Sequence, residues 1–152
     1  MKLPYSEGSV FAVPLRSGGF GIGLVARVAV DDSGGVLGYF FGPRYEAVPA
    51  LESVSFLNPR QALRVVRFGD PFLLNGKWPI LGKLKDWDRG MWPMPDFVRK
   101  DDLAKTAWRV RYSEENLTQA ISEAPEPYDS VLERAAVFGA GAVELMLTKL
   151  LP

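Results

Sequence analysis

Glycine, acid and tryptophan clusters are the residues of this chain with types and spacing suited to chemistry. The segment GGFGIG at 18–23 has the look of a phosphate loop. A dinucleotide fingerprint needs G-x-G-x-x-G between a strand and a helix, so that helical N–H groups meet the pyrophosphate. Here Gly19, Gly21 and Gly23 recur at intervals of two, and LVARVAV follows with Val25, Val28 and Val30. That run favours strand. With a strand period, Phe20, Ile22 and Leu24 share one face and the glycines leave the other bare, which predicts close packing of that backbone against an aromatic ring. The acid pairs Asp31-Asp32 and Asp101-Asp102 fall beside turn signals, where Asp bonds its own backbone. Asp86 and Asp88 flank Trp87 and could touch a hard cation, although turn chemistry is the simpler account. The sequence has no histidine and no cysteine, which removes the usual general base, the usual metal ligand and all thiolate chemistry. No catalytic residue, cofactor or metal site is expected.

Binding chemistry is better represented. Trp87, Asp88, Arg89 and Trp92 sit in the Pro-rich stretch DWDRGMWPMPDF. Trp and Arg are enriched among interface hot spots, so these four residues form a candidate partner-contact loop. The competing structural role is that the tryptophans seal the end of a core. Charge supplies a second candidate. Up to Tyr112 there are 16 Lys and Arg against 11 Asp and Glu; from Ser113 onward there are 2 against 7, although the whole chain is neutral. Glu114, Glu115, Glu123, Glu126 and Asp129 would form an acidic contact surface for a basic partner. Solvated helix faces are the alternative explanation. The basic residues are scattered, which is unlike a nucleic-acid stripe.

The elements that must position these groups follow from period and punctuation. SVFAVPL, FGIGLVARVAV and VLGYFFG are β-rich and separated by turns at Ser17–Gly19 and Asp31–Gly35, which predicts an antiparallel meander. Asn58-Pro59 predicts a short helix start, ALRVVRFGD a fourth strand, and Trp78–Leu84 a fifth after an Asn75-Gly76 turn. Strands are also expected from Phe97 to Lys100 and over TAWRVRY (Thr106–Tyr112), where Trp108, Val110 and Tyr112 alternate with arginines. SEENLTQAISEA predicts a helix opened by Ser113. DSVLERAAVFG predicts another, with a Ser130/Glu133 capping box and Gly139 as its terminator. Beyond Gly141, AVELMLTKL alternates with period two, so residues 142–150 are expected as a final strand; one long helix through Leu150 is the competing reading.

At 152 residues the chain has the length of one domain, expected to span 1–152. The predicted class is α+β: an antiparallel, strongly twisted sheet or partly closed barrel of about six to eight strands, with two short helices near the C-terminus. The longest apolar tract, AAVFGAGAV, has nine residues, against about 20 for a membrane span. With no secretory leader in view and no cysteine, the expected location is cytoplasmic and no membrane partner is expected.

Taken in order, GSVFAVPLRSGGFGIGLVARV, LGYFFGP, RFGDPFLLNGKWPILGKL, WDRGMWPMPDF, AWRVRY and GAGAVELMLTKLL resemble the bacterial immunity protein 26 family along almost the whole chain. The resemblance implies a non-catalytic immunity protein that binds and neutralises a cognate protein toxin of a polymorphic toxin system. Some relatives carry a phosphotriesterase label, so a hydrolase is the enzymatic alternative. The histidine-free sequence speaks against it, because metal-dependent hydrolysis of that kind relies on histidine ligands. The other alternative is a self-associating module, a homodimer paired through an exposed strand edge.

Overall fold

The N-terminal meander forms as its residue pattern predicts. The structure, a computed structural model, describes residues 2–30, 35–54 and 56–152; of the expected second turn, Asp31, Asp32, Ser33 and Gly34 lie outside the described residues. Strands β1 (Ser9–Pro14), β2 (Phe20–Val28) and β3 (Gly35–Tyr45) pair antiparallel, β3 pairs with β4 (Arg64–Gly69), and β5 (Ile80–Lys83) adds to the other edge of β1. A short β9 (Val137–Phe138) joins β4 in parallel. The resulting six-stranded sheet has the order β5-β1-β2-β3-β4-β9 and is twisted but not closed. A second, three-stranded antiparallel sheet has the order β6 (Phe97–Asp101), β7 (Thr106–Tyr112), β8 (Ala120–Glu126).

Two apolar layers sandwich the larger sheet. On one face Phe11, Phe40, Phe68 and Trp78 gather with Val143 and Leu147 of helix α2 (Ala140–Leu150), and the Phe11 and Trp78 rings stack at 5.6 Å between centroids. On the other, Ile22, Leu24, Leu37 and Tyr39 meet Trp92, Phe97 and Leu117. A sheet covered on both faces needs nearly continuous apolar strands, and that is why β1, β2 and β3 are so rich in Val, Phe and Leu. The glycines of β2 follow the same logic. A Cβ on Gly23 would lie 2.3 Å from Phe11 Cζ, and one on Gly21 would lie 3.1 Å from Leu151 and 3.2 Å from Leu147. The bare face therefore meets an aromatic ring at Gly23, as expected, and the C-terminal leucines at Gly21. Gly19 has a different reason: its φ of +78° is in the left-handed region.

The class is α+β as expected, with the elements after Tyr112 arranged otherwise. Residues 142–150 are helical, which corrects the expected final strand. Ala140, Val143, Glu144, Met146 and Leu147 are the buried positions of α2, an i, i+3, i+4, i+7 stripe. Glu144 is buried there as an ionic anchor, and this charge is what gave the apolar residues their false period of two. The expected helix over DSVLERAAVFG does not form, and Gly139, expected as its terminator, is instead the N-cap of α2. Ser130 Oγ accepts from Leu132 N and donates to Glu126, while Glu133 is held by Arg64 in a bidentate ion pair. The capping-box partners are thus engaged elsewhere. Residues 113–124 are a turn followed by β8. Ser113 Oγ does accept from the N–H groups of Glu115 and Asn116, but the chain then returns along β7, with Ser113 N donating to Gln119 O. The other α-helix, α1 (Pro71–Leu74), is a single turn before β5.

Candidate partner-binding surface

The loop of the two neighbouring tryptophans is built from the inside outward. Gly8 has φ +91° and no side chain, and the Trp87 ring lies on it; a Cβ there would come within 2.9 Å of that ring. Trp87 in turn sits 6.0 Å from Trp92. Trp92 is buried and presents its edge to Tyr39 at 5.0 Å and Phe41 at 6.0 Å. The Tyr39 hydroxyl donates to Pro93 O at 2.5 Å, and burial pushes its pKa up to about 12. Both tryptophans therefore brace the loop against the core. Its outward groups are Asp88 and Met91, with Met91 60% exposed. Asp88 Oδ1 accepts from Gly90 N at 3.0 Å and so shapes the turn.

Arg89 ties this loop to the turn at 113–119. Its Nη2 lies 3.0 Å from Glu115 Oε1 and donates to Glu114 O at 3.3 Å. Its Nε is 3.1 Å from Glu7 Oε1, an ion-pair distance without hydrogen-bond alignment. The structure thus brings Arg89, Glu114 and Glu115 together, three residues the sequence placed in two separate candidates. The remaining acids stand apart from them. Glu123 on β8 pairs with Arg99, Glu126 accepts from Ser130 Oγ at 2.8 Å, and Asp129 is exposed with no ion pair among the described residues. Much of the excess negative charge after Ser113 is therefore neutralised locally.

Beneath the turn lie two buried arginines that the sequence reading missed. Arg27 of β2 and Arg67 of β4 both register with Leu37, one on each side, in the two strands that flank β3. Arg27 donates to Glu114 Oε1 from Nη2 at 2.7 Å and from Nε at 3.2 Å. That hydrogen bond, with the charges of Arg27 and Arg89 behind it, outweighs desolvation and holds the Glu114 carboxyl below its ordinary range. Among the described residues Arg67 has no carboxylate partner. Its Nη1 donates to Leu117 O at 2.5 Å, its guanidinium lies 3.8 Å from the Tyr112 ring centroid, and its Nε is unpaired. Burial lowers its pKa. A signal for Arg27 was present, since it interrupts an otherwise apolar strand, whereas Arg67 shares β4 with Arg64.

Around Met91 the surface turns apolar. Phe56 is 75% exposed, and with Leu57, Asn58, Pro59, Arg60 and Met91 it borders a cleft of about 510 Å³. Exposed apolar side chains with a polar rim are the anatomy of an interface core. Among the described residues, no group of three or more Asp and Glu is placed to hold a metal ion, and no helix is long and apolar enough to cross a membrane. The arrangement offers guanidinium forks, carboxylates and apolar anchors, which is the chemistry of association. A family model described as Immunity protein 26 matches residues 6–109, from before β1 into β7. No curated protein and no solved structure matches the chain.

Proposed function

The chain belongs to the immunity protein 26 family, and we propose from that premise that it neutralises a cognate toxin protein of a polymorphic toxin system by binding it in the cytoplasm, without chemistry of its own. The observation that carries this reading is the family match, which covers strands β1 to β6, the tryptophan loop and the first part of β7. The contact surface we assign is centred on Met91 and Phe56. Asp88, Arg89, Glu114 and Glu115 form its charged rim, and Trp87 and Trp92 hold it rigid from below. Rigid anchors keep the entropy cost of association low. Glu126 and Asp129 supply a separate acidic edge for the toxin's basic groups, Glu123 being paired with Arg99.

The test is co-expression with a candidate toxin, sought first among the genes neighbouring this chain's own. Growth should be rescued, and the purified proteins should form a complex by calorimetry. Met91→Asp should weaken that complex about tenfold, the loss expected when a charge enters a desolvated apolar contact. A toxin that neither binds nor is relieved in the cell would sink the reading.

A further inference from the structure

The outer face of the small sheet carries a group of residues that the core does not use. Arg109 and Arg111 lie two apart on β7 and point to the same side. Their neighbours across the strand pair are Ala124 and Ser122 of β8, side chains too short to cover a guanidinium. Asp96 stands between them. Its Oδ2 is 2.8 Å from Arg109 Nε, and its Oδ1 is 3.0 Å from Arg111 Nε. The arginines are 48% and 61% exposed and Asp96 only 15%, so the carboxylate sits behind two forks that face solvent. With Ser122, Glu123 and Ala124 these groups line a shallow cleft of about 410 Å³.

Charge decides what the cleft can take. One carboxylate serves two guanidiniums, and Glu123 is already paired with Arg99, which leaves a net excess of one positive charge. Among the described residues the Nη donors of Arg109 have no hydrogen-bond partner. A guanidinium whose Nε is fixed by a carboxylate has lost much of its rotamer freedom in advance, and its remaining donors match a second carboxylate bidentately. A nucleic-acid backbone fits less well. Its run of phosphates would extend from the arginines over Glu123 and Glu126 on the same edge strand, whereas a single carboxylate can enter between them.

We infer that the Asp96–Arg109–Arg111 cleft is a docking site for an acidic side chain of a partner protein, and this rests on the reading of the chain as a toxin-binding protein. It adds a positively charged anchor to a surface otherwise described by acids and apolar groups. The partner therefore presents carboxylates to this sheet face.

Two measurements separate the inference from the reading beneath it. Fluorescence anisotropy with a labelled hexaglutamate peptide, at low and physiological salt, tests the cleft without any toxin. The wild-type chain should bind it in a salt-sensitive way. Arg109→Ala/Arg111→Ala should bind about tenfold more weakly while keeping the wild-type circular dichroism spectrum. Arg109→Lys/Arg111→Lys, which keeps the charge and loses the forks, should fall between. Equal binding of peptide by wild type and the double alanine variant overturns the inference, and so does tighter binding of a hexathymidylate oligonucleotide than of the peptide. The toxin supplies the second arm. A toxin that binds wild type and the double alanine variant alike leaves the immunity reading standing and removes the cleft from it. Peptide binding by a chain that ignores the toxin removes the immunity reading alone.

Discussion

The two sheets of this molecule use the same antiparallel pairing and treat their faces in opposite ways. The six-stranded sheet is covered on both sides, and its strands from β1 to β3 are buried almost throughout. The three-stranded sheet gives one face to the core through Phe97 and Val110, while β8 is exposed along its length up to Glu126. Glycine and ring packing govern the first; ion pairs such as Asp96–Arg109, Asp96–Arg111 and Glu123–Arg99 govern the second. Exposed ion pairs add little stability, so the small sheet is free to vary its surface chemistry, and the large sheet is not. Packing and exposed charge are in this way assigned to different layers.

Substitutions should break or sharpen that contrast in a predictable order. Gly23→Val places a side chain where Phe11 already sits, with a Cβ contact of 2.3 Å, and should cost about 3 kcal/mol or more, read from urea denaturation. Gly21→Val should cost less, because the opposing Leu147 and Leu151 side chains can shift by the few tenths of an ångström required. A Gly23→Val protein with the wild-type midpoint would show that the ring packing account is wrong.

Glu144→Ala comes next. The buried carboxylate accepts from Trp78 Nε1 at 3.0 Å and lies within 3.5 Å of Arg16 and Lys77. Removing it strands an indole N–H in the core and should cost about 2 kcal/mol, with a change in Trp fluorescence on the helix side of the large sheet. A loss no greater than that of an exposed Glu→Ala control would mean that α2 is held by apolar contact alone.

Smaller effects belong to the other side. Glu114 has a carboxyl held below its ordinary range by Arg27. Its stabilisation is therefore present above about pH 4, the ordinary Glu value, and is lost as pH falls through its lower folded value. Because the side chain is 47% exposed, the effect after screening is below about 1 kcal/mol. Glu114→Gln should flatten the acid limb of a stability-against-pH curve by that amount; an unchanged limb would mean the pair contributes nothing. The smallest stability effect is expected from Arg109→Lys/Arg111→Lys, which keeps both positive charges beside Asp96 and whose melting temperature should match wild type while its peptide binding weakens. A clear drop in melting temperature would show that the outer face of the small sheet is part of the scaffold after all.

Legibility along the chain follows the same division. The meander, the Asn58 cap, β4, β5, β6 and β7 could all be read, because apolar runs and turn residues are local signals. Asn58 Oδ1 does accept from Arg60 N. The residues after Tyr112 could not be read. Ser113 makes the hydrogen bonds of a helix start and Ser130 the contacts of a cap, yet neither starts a helix, because β7 recruits β8 and Arg64 takes Glu133. In α2 a buried glutamate disguised a helical stripe as alternation. On the candidate surface, Arg89 and the two acids at 114 and 115 were visible as types but not as neighbours, and the packing of Trp87 on Gly8 and of Trp92 against Tyr39 and Phe41 could not be read.

By itself the sequence determined the glycine-lined second strand, the apolar meander, the lack of histidine and cysteine chemistry, and the family resemblance, all of which depend on residue type and near spacing. Only the tertiary structure decided which charges meet. Arg27 finds Glu114 across 87 positions and Trp78 finds Glu144 across 66. The reason is physical: a buried charge needs compensating groups around it, a carboxylate for Arg27 and a carbonyl and an aromatic ring for Arg67, and those groups are selected by how the layers close rather than by anything within reach along the chain.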